Sequence, residues 1–177
     1  MRAAVALMLR YRPGPPALVL IRRAANPRDY WSGHLAFPGG FRHFGDRSLL
    51  ATARREVREE LGYDLEKSGR LLGRLDDVAP VNRFGDFSVA VTPYVFELLG
   101  SPEFEPNEEV AEVLTPPLSH FLDPAQRSFV PHPILQDPAA QLPAWQIGDQ
   151  RLWGLSYRIL SKFLQRAGAE SPSGEEG

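Results

Sequence analysis

The residue types that could do chemistry crowd into one short run, RREVREELG, between Arg54 and Gly62. On a helix turning about 100° per residue, Glu56 and Glu60 lie one turn apart on the same flank, roughly 80° from the apolar stripe, with Glu59 beside them. Like charges at that spacing destabilise a helix by about 0.2–0.5 kcal/mol, so the cluster needs water, arginine partners or a cation. Arg54, Arg55 and Arg58 offer the plain answer, a solvated charged face. The segment upstream points elsewhere. Pro38-Gly39-Gly40 reads as a sharply turning backbone that something can approach closely. Exposed carbonyls from such a turn, set beside a carboxylate-rich helix, make an oxygen-lined pocket suited to Mg²⁺ or Mn²⁺.

Such a pocket needs rigid elements behind it. Ala3 to Leu9 and Ala17 to Arg22 are apolar runs of strand length separated by Pro13-Gly14-Pro15-Pro16, which predicts an antiparallel hairpin. From Ser48 the period becomes helical, with Leu50, Ala53, Val57 and Leu61 on one stripe, Ser48 as cap and Gly62 as stop. Arg70 to Leu75 and Ser88 to Leu99 have strand composition. Pro102 to Pro143 holds nine of the 17 prolines and reads as mostly loop, with a short strand near Glu112 to Leu114 and a short helix near Leu118 to Leu122. Ala144 to Ile147 and Arg151 to Trp153 form a second hairpin, and Gly154 to Arg166 a final helix. Strands, helix, strands, helix without regular alternation indicate an α+β fold with a mixed sheet.

Composition narrows the chemistry. The 177 residues, 43% of them hydrophobic, suffice for one core, so a single domain is expected over 1–167, with the small, polar and acidic 168–177 as a disordered tail. The absence of cysteine removes thiol nucleophiles, disulfides, Cys-ligated zinc and iron–sulfur centres. The 22 acidic against 20 basic side chains give no global field for nucleic acid or membrane, so an anionic substrate needs a local site. Met1-Arg2 followed by Ala3 to Leu9 reads better as a strand than as a signal peptide, and a cytoplasmic location is expected. The four histidines lack zinc-site spacing, and neither GxGxxG nor GxxxxGK[ST] occurs. Asp76-Asp77 either lines the cleft or ends a strand. Trp31, Phe84, Phe87 and Tyr94 read as core rather than as stacking platforms for a base.

The run from Gly40 to Tyr63 resembles the Nudix box: Gly, five residues, Glu, seven residues, Arg-Glu-hydrophobic-X-Glu-Glu-X-Gly-hydrophobic. Here it is Gly40, five residues, Asp46, eight residues, then Arg55-Glu56-Val57-Arg58-Glu59-Glu60-Leu61-Gly62-Tyr63. Asp46 replaces the usual Glu and one residue is added before Arg55, which leaves the role of Asp46 open. Upstream, Leu20-Ile21-Arg22-Arg23-Ala24, Arg28 and Gly33-His34-Leu35-Ala36-Phe37-Pro38-Gly39-Gly40 are similar to the coenzyme A diphosphatase subgroup, with the Arg28 to Gly33 spacing one residue longer.

The resemblance implies a Nudix α/β/α sandwich and Mg²⁺- or Mn²⁺-dependent hydrolysis of a nucleoside diphosphate derivative. Coenzyme A or an acyl derivative is the favoured substrate, giving 3′,5′-ADP and 4′-phosphopantetheine. ADP-ribose, NADH, a nucleoside triphosphate or a non-catalytic nucleotide-binding role are the alternatives. It further implies that Glu56 and Glu60 ligate metal, with Glu59 sharing a second ion and the Gly39 carbonyl completing the sphere, and that Arg55 orients or neutralises the glutamates. Arg23 and Arg28 would contact substrate phosphates, and Glu108, Glu109 and Glu112 are candidate general bases, with Glu109 favoured. The partners expected are this small molecule and, at most, a second copy of the chain.

Overall fold

The computed structural model describes residues 1–26, 32–79, 89–132 and 139–168. Its strands are β1 (Arg2–Arg10), β2 (Ala17–Arg23), β3 (Leu35–Ala36), β4 (Gly39–Phe41), β5 (Gly69–Arg74), β6 (Ala90–Leu98), β7 (Val110–Leu114), β8 (Arg127–Pro131), β9 (Gln141–Ile147) and β10 (Gln150–Trp153). The α-helices are α1 (Leu49–Leu61), α2 (Leu65–Ser68) and α3 (Gly154–Arg166), and Leu118–Leu122 and Pro124–Gln126 are short 3₁₀ turns. The first seven strands form one mixed sheet and the last three a small antiparallel one. The expected α+β layout with a mixed sheet is therefore what the chain adopts.

The two N-terminal strands are apolar at successive positions because both faces of the large sheet are covered. Leu7, Leu9, Leu18 and Leu20 point into a cluster shared with Ile159, Leu160 and Leu164 of α3 and with Trp145 and Leu152 of the small sheet. Their neighbours Ala6, Met8, Val19 and Ile21 point the other way, onto Val57 and Leu61 of α1. Helix α1 begins at Ser48, whose hydroxyl accepts the Ala51 N–H at 3.1 Å, and stops at Gly62, which takes φ 64°.

β1 and β2 pair antiparallel as expected, but only over Met8 to Arg10 against Ala17 to Val19. They then diverge. The first half of β1, Ala3 to Val5, pairs with β4 instead, and Ile21-Arg22 of β2 pairs with β3. Leu35 to Phe41 thus fills a fork in the sheet, and the Ala6 N–H donates to the Pro38 carbonyl at 2.8 Å inside it. The two glycines expected in a turn are strand residues of β4. Gly39 has φ 151°, and a Cβ there would strike the Ala4 carbonyl oxygen and the Val5 backbone, so only glycine lets the two strands close.

The stretch from Pro102 to Pro143 carries more strand than expected. β8 pairs along β9 from Arg127↔Trp145 to Pro131↔Gln141. Pro143 fits because the β9–β10 ladder ends at Ala144, where the missing N–H removes no bond from that pairing.

Docking of α1 on the sheet rests on its apolar stripe. Leu61→Ala, at a fully buried position, is expected to cost about 2–5 kcal/mol. Urea unfolding read by circular dichroism checks it, and a loss below about 1 kcal/mol would contradict this packing.

Candidate functional site

The fork places the glycines of β4 directly under α1. Glu60, only 4% exposed, accepts the Gly39 N–H on Oε2 at 2.9 Å. One turn earlier, Glu56 lies over Gly40, where a Cβ would come within 2.5 Å of Oε1. Glycine at 40 gives the Glu56 carboxylate room against the backbone, and glycine at 39 lets β4 close on β1 while its N–H reaches Glu60. The helical period places Glu60 on a flank, whereas the structure puts it on the buried side, because the opened sheet supplies a backbone donor for it there.

Burial pushes the Glu60 carboxyl up to about 8, against the stabilising Gly39 N–H, and the nearby Glu56 charge raises it further. Glu56 is also raised, chiefly by burial, with Arg55 opposing. Two carboxyls held above their ordinary range side by side are a place where added positive charge is favourable. Arg23 and Glu109 both act electrostatically on Glu60, so the end of β2 and the start of β7 converge on it. Backbone bonds hold that convergence: the Ala24 N–H donates to the Glu109 carbonyl at 2.8 Å and the Asn107 N–H to the Glu60 carbonyl at 3.0 Å. Among the other acidic candidates, Glu112 is engaged by Arg22 across β2 and β7 at 3.1 Å. Arg28, Trp31, Phe84 and Phe87 lie outside the described residues.

Arg55 is the hub of the charged groups. Its guanidinium meets Asp46 through Nε at 3.0 Å and Nη2 at 3.1 Å, Glu56 at 2.9 Å, Glu59 at 2.7 Å and the Phe41 carbonyl at 3.0 Å. Glu59 is 53% exposed and engages Arg55 rather than the backbone of β4. Among the described residues, no group of three or more Asp, Glu or His side chains stands ready-made around one point. The pair brought together is Glu56 and Glu60.

The structure answers what Asp46 does. Only 7% exposed, it accepts the His43 N–H and the Thr52 hydroxyl, each at 2.9 Å, besides the fork of Arg55. These bonds, that to Arg55 foremost, hold its carboxyl well below the usual carboxylate range. Asp46 therefore ties the loop before α1 to the arginine that carries Glu56 and Glu59. Nothing in the spacing announces Thr52 or the Phe41 carbonyl as members of this network, since both arrive through tertiary packing.

The sequence model of the NUDIX domain matches residues 1–133. A protein of Photorhabdus laumondii named as a Nudix hydrolase, NudL, is 34% identical over 173 residues, covering 93% of this chain and 83% of that one. A Schizosaccharomyces pombe protein is 38% identical over 112 residues, covering 62% of this chain and 34% of its own length, so the chain spans about a third of that relative. Among solved structures, a MutT/nudix family protein from Enterococcus faecalis superposes with a TM-score of 0.63 at 18% identity, over 94% of this chain and 61% of that one. A Caenorhabditis elegans Ap4A hydrolase in a binary complex gives 0.55 at 16% identity, over 67% and 80%. At these identities the two structures speak to the fold.

Asp46→Asn keeps the size of the side chain and removes the charge opposite Arg55. The expected loss is about 2 kcal/mol, between the ~0–1 kcal/mol of an exposed pair and the ~3–5 kcal/mol of a broken buried one. Because the folded-state carboxyl is depressed below its ordinary value of 3.8, its contribution is complete above that pH and is lost as the pH falls below it. Stability measured by urea between pH 6 and 2 should therefore drop less steeply in Asp46→Asn than in the parent protein; parallel curves would show that Asp46 does not anchor Arg55.

Proposed function

The chain belongs to the NUDIX domain family of hydrolases, and from that membership we propose that it cleaves the diphosphate bond of a nucleoside diphosphate derivative, with coenzyme A or an acyl-coenzyme A as substrate. The products are then 3′,5′-ADP and a 4′-phosphopantetheine. The observation that carries this reading is the pairing of two desolvated carboxylates, Glu56 and Glu60, against the glycine backbone of β4. The likeness of the Leu20 to Gly40 segment to coenzyme A diphosphatases supports the choice of substrate.

The donor set fits a hard divalent ion. Carboxylate oxygens and a backbone carbonyl are what Mg²⁺ and Mn²⁺ select, and the site contains neither sulfur nor an imidazole pair. The absent Cβ of Gly40 leaves space at the Glu56 carboxylate, and the raised Glu60 carboxyl is a group that a cation would return to its charged form. Glu56, Glu60 and the Gly39 carbonyl would hold the ion, and Glu59 would share a second. Such ions supply the positive charge that neutralises diphosphate oxygens and activates water.

The remaining work falls to the chain. Arg55 sets the orientation of Glu56 and Glu59, and Asp46 sets that of Arg55. Glu109, beside Glu60, is the proposed acceptor of the proton from the attacking water. Arg23, on the neighbouring strand, and Arg28 are proposed to bind substrate phosphate oxygens, for which a planar guanidinium fork is suited.

Two measurements test this. Hydrolysis of coenzyme A, ADP-ribose, NADH and deoxynucleoside triphosphates is assayed with Mg²⁺ or Mn²⁺, and the expectation is metal-dependent turnover with coenzyme A preferred. Preference for another member of the panel would replace the substrate, and silence across it would favour a nucleotide-binding role. Glu56→Gln and Glu60→Gln should each lower turnover by roughly 10²-fold or more. Both should also abolish the rise in thermal midpoint that the metal gives the parent protein; a full rise in either variant would remove that residue from the metal site. Arg23→Ala is expected to raise KM more than it lowers kcat, as measured by initial rates on the preferred substrate.

A further inference from the structure

On the face of the large sheet that carries α1, two arginines stand opposite each other just beyond Glu56. The β1–β4 register pairs Ala4 with Gly40 and Ala3 with Phe41. It continues one step to Arg2 and Arg42, joined by the Arg42 N–H donating to the Arg2 carbonyl at 3.0 Å. Their contacts place both side chains on the α1 face. Arg42 donates through Nε and Nη2 to the Asp46 carbonyl in the loop leading into α1, at 3.3 and 2.9 Å. Arg2 donates through Nη2 to the Thr92 hydroxyl at 3.3 Å, and Thr92 is the β6 partner of Ala4.

Like charges directly opposite on adjacent strands are destabilising, so the pair calls for anionic partners. It has one. Asp77 meets Arg2 at 2.9 Å, and its other oxygen accepts the Thr92 hydroxyl at 2.7 Å. The Asp46 carboxylate is already taken by Arg55, Thr52 and the His43 N–H, leaving only its neutral backbone carbonyl to Arg42. Among the described residues, Arg42 has no carboxylate, and Nη1 of Arg42 and Nε and Nη1 of Arg2 have no acceptor. The arrangement is also held in place: a fully buried threonine and a carboxylate are spent on fixing an arginine whose side chain is 48% exposed. A guanidinium that only had to meet water would need no such support.

We propose that Arg2 and Arg42 form an anion clamp that holds a phosphate monoester of the substrate, separate from the diphosphate that is cleaved. Arg42 lies two residues from Gly40, about 7 Å along the strand at ~3.4 Å per residue, which is the reach of a sugar carrying phosphates at two positions. The clamp favours a nucleotide bearing an additional phosphate on its ribose over one without it. This rests on the reading of Glu56 and Glu60 as the diphosphate site.

Adenosine 3′,5′-bisphosphate and 5′-AMP contain no anhydride and survive the enzyme, so their binding is measured directly by calorimetry on the full chain with Mg²⁺. The parent protein should bind the bisphosphate at least about tenfold more tightly, a difference of about 1.4 kcal/mol. That ratio should fall to about 1–3 in Arg42→Ala and in Arg2→Ala, and partly in Thr92→Val, each first shown by circular dichroism to be folded. Equal affinities in the parent, no binding of either ligand at millimolar concentration, or a ratio unchanged in both arginine variants would overturn the clamp. Glu56→Gln separates the two readings, since it should lose turnover and keep the ratio. A parent protein with the ratio but no turnover would discard the hydrolytic reading and retain the clamp.

Discussion

The bond from the Gly39 N–H to the Glu60 carboxylate joins the helix to the sheet at the point where the sheet divides. A carboxylate that is 4% exposed is costly to bury, and a single neutral donor offsets only part of that cost. The cost shows in a carboxyl pushed up to about 8. Evenly paired strands would leave no backbone N–H facing the helix for this purpose. The divergence of β1 from β2, the wedge of β3 and β4, and the tolerance of Gly39 for a positive φ are thus linked to one carboxyl group whose charged form is disfavoured by burial. On the proposed reading, a cation resolves it.

A second constraint acts on the exposed side of the same helix. Arg55 sits between one carboxylate that holds it firmly and two that it holds in turn. Asp46 saturates its own acceptors with a fork of Arg55, a backbone N–H and a threonine hydroxyl, which holds its carboxyl well below the usual carboxylate range. Glu56 and Glu59 make single contacts with the guanidinium and are correspondingly easier to draw away. Anchoring an arginine at its back leaves its front available to orient carboxylates. The Asp77–Thr92–Arg2 group at the rim repeats the pattern in part, with a buried threonine hydroxyl and a partly exposed carboxylate fixing a guanidinium that faces outward.

Local signals made much of this readable. The helix from Ser48 to Gly62 was defined by its period, its cap and its stop, because each acts within one turn. The strands β1 and β2 followed from apolar runs between turn residues, β5 and β6 from their strand composition, and α3 from its stripe. β8 was hidden by the prolines around it, since whether a proline harms a strand depends on which edge is paired, and that is a property of the partner. The burial of Glu60 was likewise hidden. Helical geometry gives the angle of a side chain relative to the apolar stripe, but not how far the opposite surface extends.

By itself the sequence determined the chemistry available: a carboxylate trio with helical spacing, glycines ahead of it, arginines interleaved, and oxygen and nitrogen ligands to the exclusion of thiolate. It determined the family as well, because the box is a contiguous run whose residues act within a single loop and helix. Tertiary structure decided which members of the trio share a buried backbone donor, which one engages Arg55, and what Asp46 holds. It also decided that Arg2, Arg42, Thr92 and Asp77, scattered along the chain, meet on one rim beside Glu56. Those outcomes depend on strand register and on the fork in the sheet, where residues distant in sequence are brought within bonding distance by pairing energies that no local pattern records.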